Sequence, residues 1–243
     1  RVLVNHVWLR HFGAPLVADV SDFGRRSPAP LHQDVLDTLS TRFMASGWSL
    51  KWLHRELVLS HTYARLSSLA GADAATLAAD PDNLHYWRMN PRRMESQAVR
   101  DSLLHLAGRL DPALGGPTLD PVKLATSARR SLYFNHTAHE QHALLGVFDN
   151  ANVLDCYRRE ESVAPQQALA LVNSRTSHDC AQALAARLSA LEDTAFIRES
   201  FLAILSRPST PEEEQASRES LATLSRPLFL QALFNHNDFV TLR

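Results

Sequence analysis

Cysteine is scarce in this chain: two residues in 243, Cys156 and Cys180, too few for a disulfide-built scaffold. Neither stands in a Cys-x-x-Cys or Cys-x-x-Cys-His spacing, so the segment carries no haem-attachment motif of its own. Glycine is scarce too, eight residues without a period, which excludes collagen-like repeats. An excess of either charge is missing: 25 Lys and Arg face 26 Asp and Glu, so there is no global basic field for nucleic acid. No apolar run approaches the ~20 residues that a membrane-crossing helix needs. No repeat of 20–50 residues is evident. Alternating strand and helix patterns are absent as well, which argues against a nucleotide-binding parallel sheet.

What is present is the material of a globular core. Hydrophobic residues make up 45% of the chain and charged ones 21%, and a chain of this length buries roughly 70% of its unfolded surface on folding. The chain opens at Arg1 inside an apolar-periodic stretch, as a segment of a longer polypeptide does.

Apolar residues recur mostly at helical spacing. Val4, Val7, Trp8 and Phe12 form one stripe, stopped by Gly13 and Pro15. Pro30 suits the first turn of a second helix striped by Leu31, Val35, Leu36, Leu39 and Phe43 and closed by Gly47. Ser49 is a good N-cap for a third, with Leu50, Leu53, Leu57 and Val58 on its apolar side. Residues 67–80 read as a connector or weak helix, and Pro81-Asp82-Asn83 as a turn. Glu95–Leu110 follows, striped by Ala98, Val99, Leu103, Leu106 and Leu110. Ala143–Phe148 is a short helix, and Pro165 starts a long one over Gln166–Leu188, with Ser162 near its cap. Phe196 to Leu205 is another helix, Thr210-Pro211-Glu212-Glu213 is a capping box, and Leu228–Phe234 ends the series. Only Ser131–Phe134 has strand character. The expected fold is therefore mainly α, an irregular multi-helix bundle with long loops and at most a short strand pair near 131–134. It forms one domain over 1–243, with any subdivision near 112–130.

Twelve histidines invite a metal reading, and His136, His139 and His142 with Glu140 are the densest group. On a helix the first and third diverge by about 120°, and His-Glu-Gln-His lacks the two-residue gap after Glu of a zinc-protease helix. His54 and His61 stand about 10 Å apart along a helix, too far for one ion. No metal site is expected. Asp22-Phe23-Gly24 matches a kinase magnesium motif in three letters, without the glycine-rich loop and catalytic-loop signature that give it meaning. Cys156 has no base nearby in sequence to activate it as a nucleophile, and a lone cysteine is ordinarily a small buried hydrophobe.

The most unusual run is Asp155-Cys156-Tyr157-Arg158-Arg159-Glu160-Glu161-Ser162, just before Pro165-Gln166-Gln167. A solvated charged loop is the ordinary reading. The sharper one uses the open amides and positive dipole end of the helix starting at Pro165, which favour an anion or thiolate. Arg158 and Arg159 would grip a carboxylate, sulfate or phosphate there through paired hydrogen bonds. Arg92 and Arg93, after Asn90-Pro91, are a second basic pair, and Ser162, Gln167 and Cys156 complete the candidate set.

Several blocks, taken in order, resemble a planctomycete-specific domain of unknown function found in large proteins alongside a c-type cytochrome domain. The first is Arg1-Val2-Leu3-Val4-Asn5-His6-Val7-Trp8 with His11-Phe12-Gly13; Ser21-Asp22-Phe23-Gly24 and Gly47-Trp48-Ser49-Leu50-Lys51 follow. Then come Trp87-Arg88-Met89-Asn90 with Arg92-Arg93 and Glu95-Ser96-Gln97-Ala98-Val99-Arg100-Asp101. Cys156, Arg158-Arg159, Ser162, Pro165 and Gln167 with Asn173 form the most distinctive segment, and Leu233-Phe234-Asn235 with Asn237-Asp238-Phe239 the last. The resemblance implies an extracytoplasmic, periplasmic or cell-surface, multidomain parent. Haem would be held elsewhere in it, and sibling domains, a c-type cytochrome among them, would be partners; the resemblance implies no reaction. His6, Val163-Ala164, Cys180 and the 136–142 histidines depart from the pattern, which argues against a shared Cys156–Cys180 disulfide and a shared metal site.

Two functions follow. The first is a non-catalytic helical accessory module that docks a sibling domain. The alternative is an enzyme or substrate-binding domain for an anionic, sulfated or acidic, polysaccharide-type ligand, held by Arg158, Arg159, Arg92 and Arg93 at the Pro165 helix start.

Overall fold

The computed structural model describes residues 1–24, 26–119, 122, 126–137, 142–154 and 159–242. Eleven α-helices among them make the chain 51% helical, with one two-stranded antiparallel pair, so the mainly-α expectation holds. The chain divides into two compact units, residues 1–92 and 93–242. Within the second unit, Asp111 N–H donates to Ala128 O at 2.8 Å and Leu119 bridges Phe134.

The first unit holds α1 (Val2–Phe12), α2 (Gln33–Ala45), α3 (Leu50–Val58) and the single short turn of helix α4 (Ala74–Ala79). Its core joins Val4, Val7, Trp8 and Phe12 of α1 to Leu36 and Phe43 of α2 and Leu53 and Leu57 of α3. Gly13 stops α1 in the left-handed region at φ 75°, donating its N–H to Leu9 O. A Cβ there would also press on Asn90 Cβ at 3.4 Å. Ser49 caps α3 by accepting from Trp52 N–H, as the sequence indicated. The second helix begins later than Pro30: its first residue is Gln33, and Leu31 and Val35 are exposed while Leu36 and Phe43 face the core.

Long loops in this unit are held by buried amides as well as by buried apolar residues such as Val17 and Met89. Asn5, 1% exposed, donates Nδ2 to Val17 O and accepts from Val17 N–H, tying the chain after α1 to its second turn. Asn83 does the same for residues 88–90, and Asn90 donates to Phe12 O. Trp8 Nε1 donates to Tyr86 Oη at 2.9 Å, and that hydroxyl donates to Ala14 O. Buried polar groups satisfied in this way specify one loop path.

The second unit contains α5 (Ser96–Leu106), α6 (Ala143–Val147), α7 (Pro165–Asn173), α8 (Arg175–Arg187), α9 (Asp193–Leu205), α10 (Pro211–Leu221) and α11 (Arg226–Phe234). Its main core unites Val99 and Leu103 of α5, Cys180, Ala181 and Leu184 of α8, Phe196 and Ile197 of α9, and Leu230 and Phe234 of α11. Thr210 and Glu213 form the capping box read from the sequence. A short strand β1 (Arg92–Arg93), where the chain passes into this unit, pairs with β2 (Thr241–Leu242). At 131–134 the structure has a 3-10 turn, Ser131–Tyr133, with a single bridge at Phe134 in place of a strand pair. The side chain of Asp101 explains it: its carboxylate takes both the N–H and Oγ–H of Ser131, which curls the chain.

The helix expected over 166–188 is broken at Ser174, which ends α7 and caps α8 by accepting from Ser177 N–H. Gln231 of α11 compensates by donating to Val172 O at 2.7 Å, satisfying a carbonyl at the end of α7. Ser162 does not cap α7 either; the N-cap is Ala164, with no side-chain hydrogen bond.

Candidate functional site

The site is built on α5. The core stripe of this helix runs Ser96, Val99, Arg100, Leu103, Leu104 and then Ala107 at its C-cap, so it passes through an arginine. Arg100 is 1% exposed. Its guanidinium donates to the carbonyls of Ser127 and Arg129 and to Ser131 Oγ, and stacks on the Phe134 ring 4.6 Å from its centroid. Burial works against its charge, and Asp101, 3.6 Å away, supports it. Arg100 and Asp101 together pin residues 127–134 to α5.

Beside this pinned segment lies a cavity of about 460 Å³, within the size range of small-molecule sites. Glu95, Gln97 and Asp101 of the α5 region, Arg130, Phe134 and Asn135 of the pinned segment, His136 and His142, Asn150 and Arg159 contribute to its walls. Arg159 Nη1 donates to Gln97 Oε1 at 3.1 Å, and its Nη2 lies 3.4 Å from the Glu95 carboxylate. Gln97 Nε2 donates to Asn150 Oδ1 at 2.8 Å, and Asn150 Nδ2 stands 3.2 Å from His136 Nδ1. Among the described residues, His136 Nε2 and His142 Nδ1 are buried without a hydrogen-bond partner. Burial, and then the Arg100 charge, lower the pKa of His142 and so favour its neutral ring.

The structure separates the residues that the sequence grouped. Arg159 enters the cavity wall; Arg158 and Cys156 lie outside the described residues. Arg92 belongs to the first unit, where its guanidinium donates to Arg10 O at the last turn of α1. Arg93 donates to Gln167 Oε1 at 2.7 Å and to Asn237 Oδ1 at 2.9 Å. Gln167, 4% exposed, spends its Nε2 on Val147 O and on Ser162 O and Oγ. Ser162 N–H and Oγ–H both go to the carboxylate of Asp149, so an internal anion already stands two residues before the α7 N-cap. Arg93, Ser162 and Gln167 thus brace the loop that delivers Arg159, and they are absent from the cavity wall.

The cavity-lining residues that the helical pattern missed are Glu95, Gln97, Asp101, Arg130 and Asn150. One signal for them was available. Arg100 falls on the same i, i+3, i+4 stripe as Ser96, Val99, Leu103 and Leu104, and a charge inside an apolar stripe points to a polar network under it.

His139 and Glu140 lie outside the described residues, and among the described residues no three metal-ligating side chains gather. His54 Nδ1 pairs with His11 Nε2 at 2.7 Å in the first unit. Cys180, 1% exposed, is a core residue: burial pushes its thiol up to about 11, so it holds almost no thiolate at neutral pH.

No curated protein and no solved structure matches the chain. A family model does: the one described as PSD1, protein of unknown function (DUF1553), matches residues 1–221, and the chain belongs to that family.

Proposed function

We propose that the second unit is a ligand-binding domain whose cavity takes a small acidic saccharide unit, a uronic acid or a sulfated sugar. One observation carries this reading: Arg130 and Arg159 share a cavity wall with three amide side chains, Gln97, Asn135 and Asn150. Guanidinium groups match carboxylate and sulfate through charge-assisted hydrogen bonds. Amides and the Glu95 carboxylate suit sugar hydroxyls, and Phe134 with Leu145 offers an apolar wall for a ring face. By sequence resemblance alone, we extend the proposal to an extracytoplasmic setting, with haem on a sibling domain of the parent protein.

The test is isothermal titration of D-glucuronate, with D-glucose as the neutral control, against the wild type and Arg159→Ala. Removal of a charge-assisted contact costs about 1.5–3 kcal/mol, or roughly 10- to 150-fold in Kd. The expected result is binding of glucuronate but not glucose, and a loss of that size in the variant. Equal affinity of the two proteins, or no binding of glucuronate, contradicts the proposal.

A second reading, docking of a sibling c-type cytochrome domain, is favoured by an observation in the first unit. Met44, Trp48 and Leu50 stand exposed together at the turn between α2 and α3, and Trp48, 63% exposed, is held at φ 61°, where a bulky side chain is strained. Exposed aromatic anchors of this kind carry interface energy. Trp48→Ala is expected to weaken co-purification of the chain with that sibling domain at least tenfold; unchanged association removes this reading.

A further inference from the structure

The hydrogen bonds that run from Arg159 to His136 have a fixed direction, and that direction follows from donors that cannot accept. A guanidinium only donates, so the Gln97 atom facing Arg159 Nη1 is its oxygen, and Gln97 Nε2 is left to donate to Asn150. A backbone N–H only donates, so the Asn150 atom 2.9 Å from Ala151 N is also oxygen. Both ends of the Asn150 amide are then assigned, and its Nδ2 must donate to His136 Nδ1. An imidazole nitrogen that accepts carries no proton. The ring proton of His136 therefore sits on Nε2, an atom buried without a partner in a side chain that lines the cavity. A buried donor without an acceptor costs about 1–3 kcal/mol, and a ligand oxygen is the acceptor it lacks.

Resting on the acidic-saccharide reading above, we infer that His136 is a specificity residue of the same site. It is locked by Asn150 as an Nε2–H donor, and with Arg159 it selects ligands that present an oxyanion. Toward the ring, Gln97 and Asn150 act as positioning residues: Gln97 orients the Asn150 amide, and Asn150 orients His136. Glu95, Asp101, Arg130, His142 and Arg159 are the titratable groups that share the cavity with the ring. Asn150→Asp reverses the logic at its root, because a carboxylate accepts from Nδ1–H and moves the proton there. His136→Gln places an amide N–H near the Nε2 position, whereas His136→Phe keeps a flat ring and removes the donor.

The test combines ¹⁵N-detected histidine NMR with glucuronate titration of the whole chain. His136 is assigned by difference from His136→Gln. In the wild type the expected His136 spectrum has a protonated Nε2 and a pyridine-type Nδ1, and Asn150→Asp exchanges the two. For glucuronate, His136→Phe and Asn150→Asp are expected to lose about tenfold or more in affinity, and His136→Gln to retain most of it. A proton on Nδ1 in the wild type overturns the inference, and so does undiminished binding by His136→Phe when Arg159→Ala has lost it; in both cases the ligand-binding reading stands. Absence of glucuronate binding to the wild type defeats that reading instead, while the spectrum still reports the tautomer.

Discussion

Arg100→Met is expected to destabilise the chain by about 3–5 kcal/mol, read as the shift in a urea unfolding curve. Methionine reproduces much of the arginine stem and fills the same channel beside Phe134, so lost volume accounts for little of this. The cost comes from what is left behind: the carbonyls of Ser127 and Arg129 lose their donor, and the Asp101 carboxylate loses the nearest cation. Each is buried or half-buried, so water replaces the guanidinium poorly. Arg100→Lys keeps the charge but offers one ammonium where a planar fork served three acceptors, and an intermediate loss is expected. The same variants should weaken glucuronate binding, because Arg130, Phe134 and Asn135 all sit on the pinned segment. A loss below 1 kcal/mol for Arg100→Met would show that residues 127–134 are held by something other than this charge.

Phe234→Ala is expected to cost about 3–5 kcal/mol by a different route, the creation of a cavity. Phe234 is wholly buried in the last turn of α11 and meets the Phe239 ring at 5.4 Å between centroids. It stands where α11 closes on the core formed with α8 and α9. The facing helices cannot both collapse into the space it leaves, so the upper part of the range applies. Leu228→Ala is the control on the same helix: Leu228 is 46% exposed, and its loss should stay within about 0.5 kcal/mol. Similar losses for the two variants would mean that α11 is oriented otherwise than described.

The helical framework was legible where local chemistry decides. Gly13, Ser49 and the Thr210–Glu213 box sit at helix ends for reasons internal to a few residues, and each stands where the sequence placed it. It was illegible where a distant residue decides. Nothing near Ser174 announces that Gln231, far along the chain, takes the carbonyls released by the break between α7 and α8. Asp101 likewise converts an apparent strand at 131–134 into a turn through contacts 30 residues apart in sequence.

The candidate site was half legible for the same reason. The charged run before Pro165 holds Arg159, which lines the cavity. Local reading could not foresee that Asp149 would already occupy Ser162, or that Gln167 would spend its amide on Val147 and Ser162. Those bonds make Ser162 and Gln167 a brace for the loop before α7. The cavity itself depends on Arg100, whose place on the buried stripe of α5 is visible only once the stripe is drawn through a charge.

The most direct measurement is a crystal structure of the whole chain grown with D-glucuronate. The expected result is density for the sugar in the cavity of the second unit, its carboxylate within 3 Å or so of Arg159 and an oxygen facing His136 Nε2. Density at any other position, or an empty cavity in a protein shown to bind glucuronate in solution, would contradict the assignment of this cavity as the binding site.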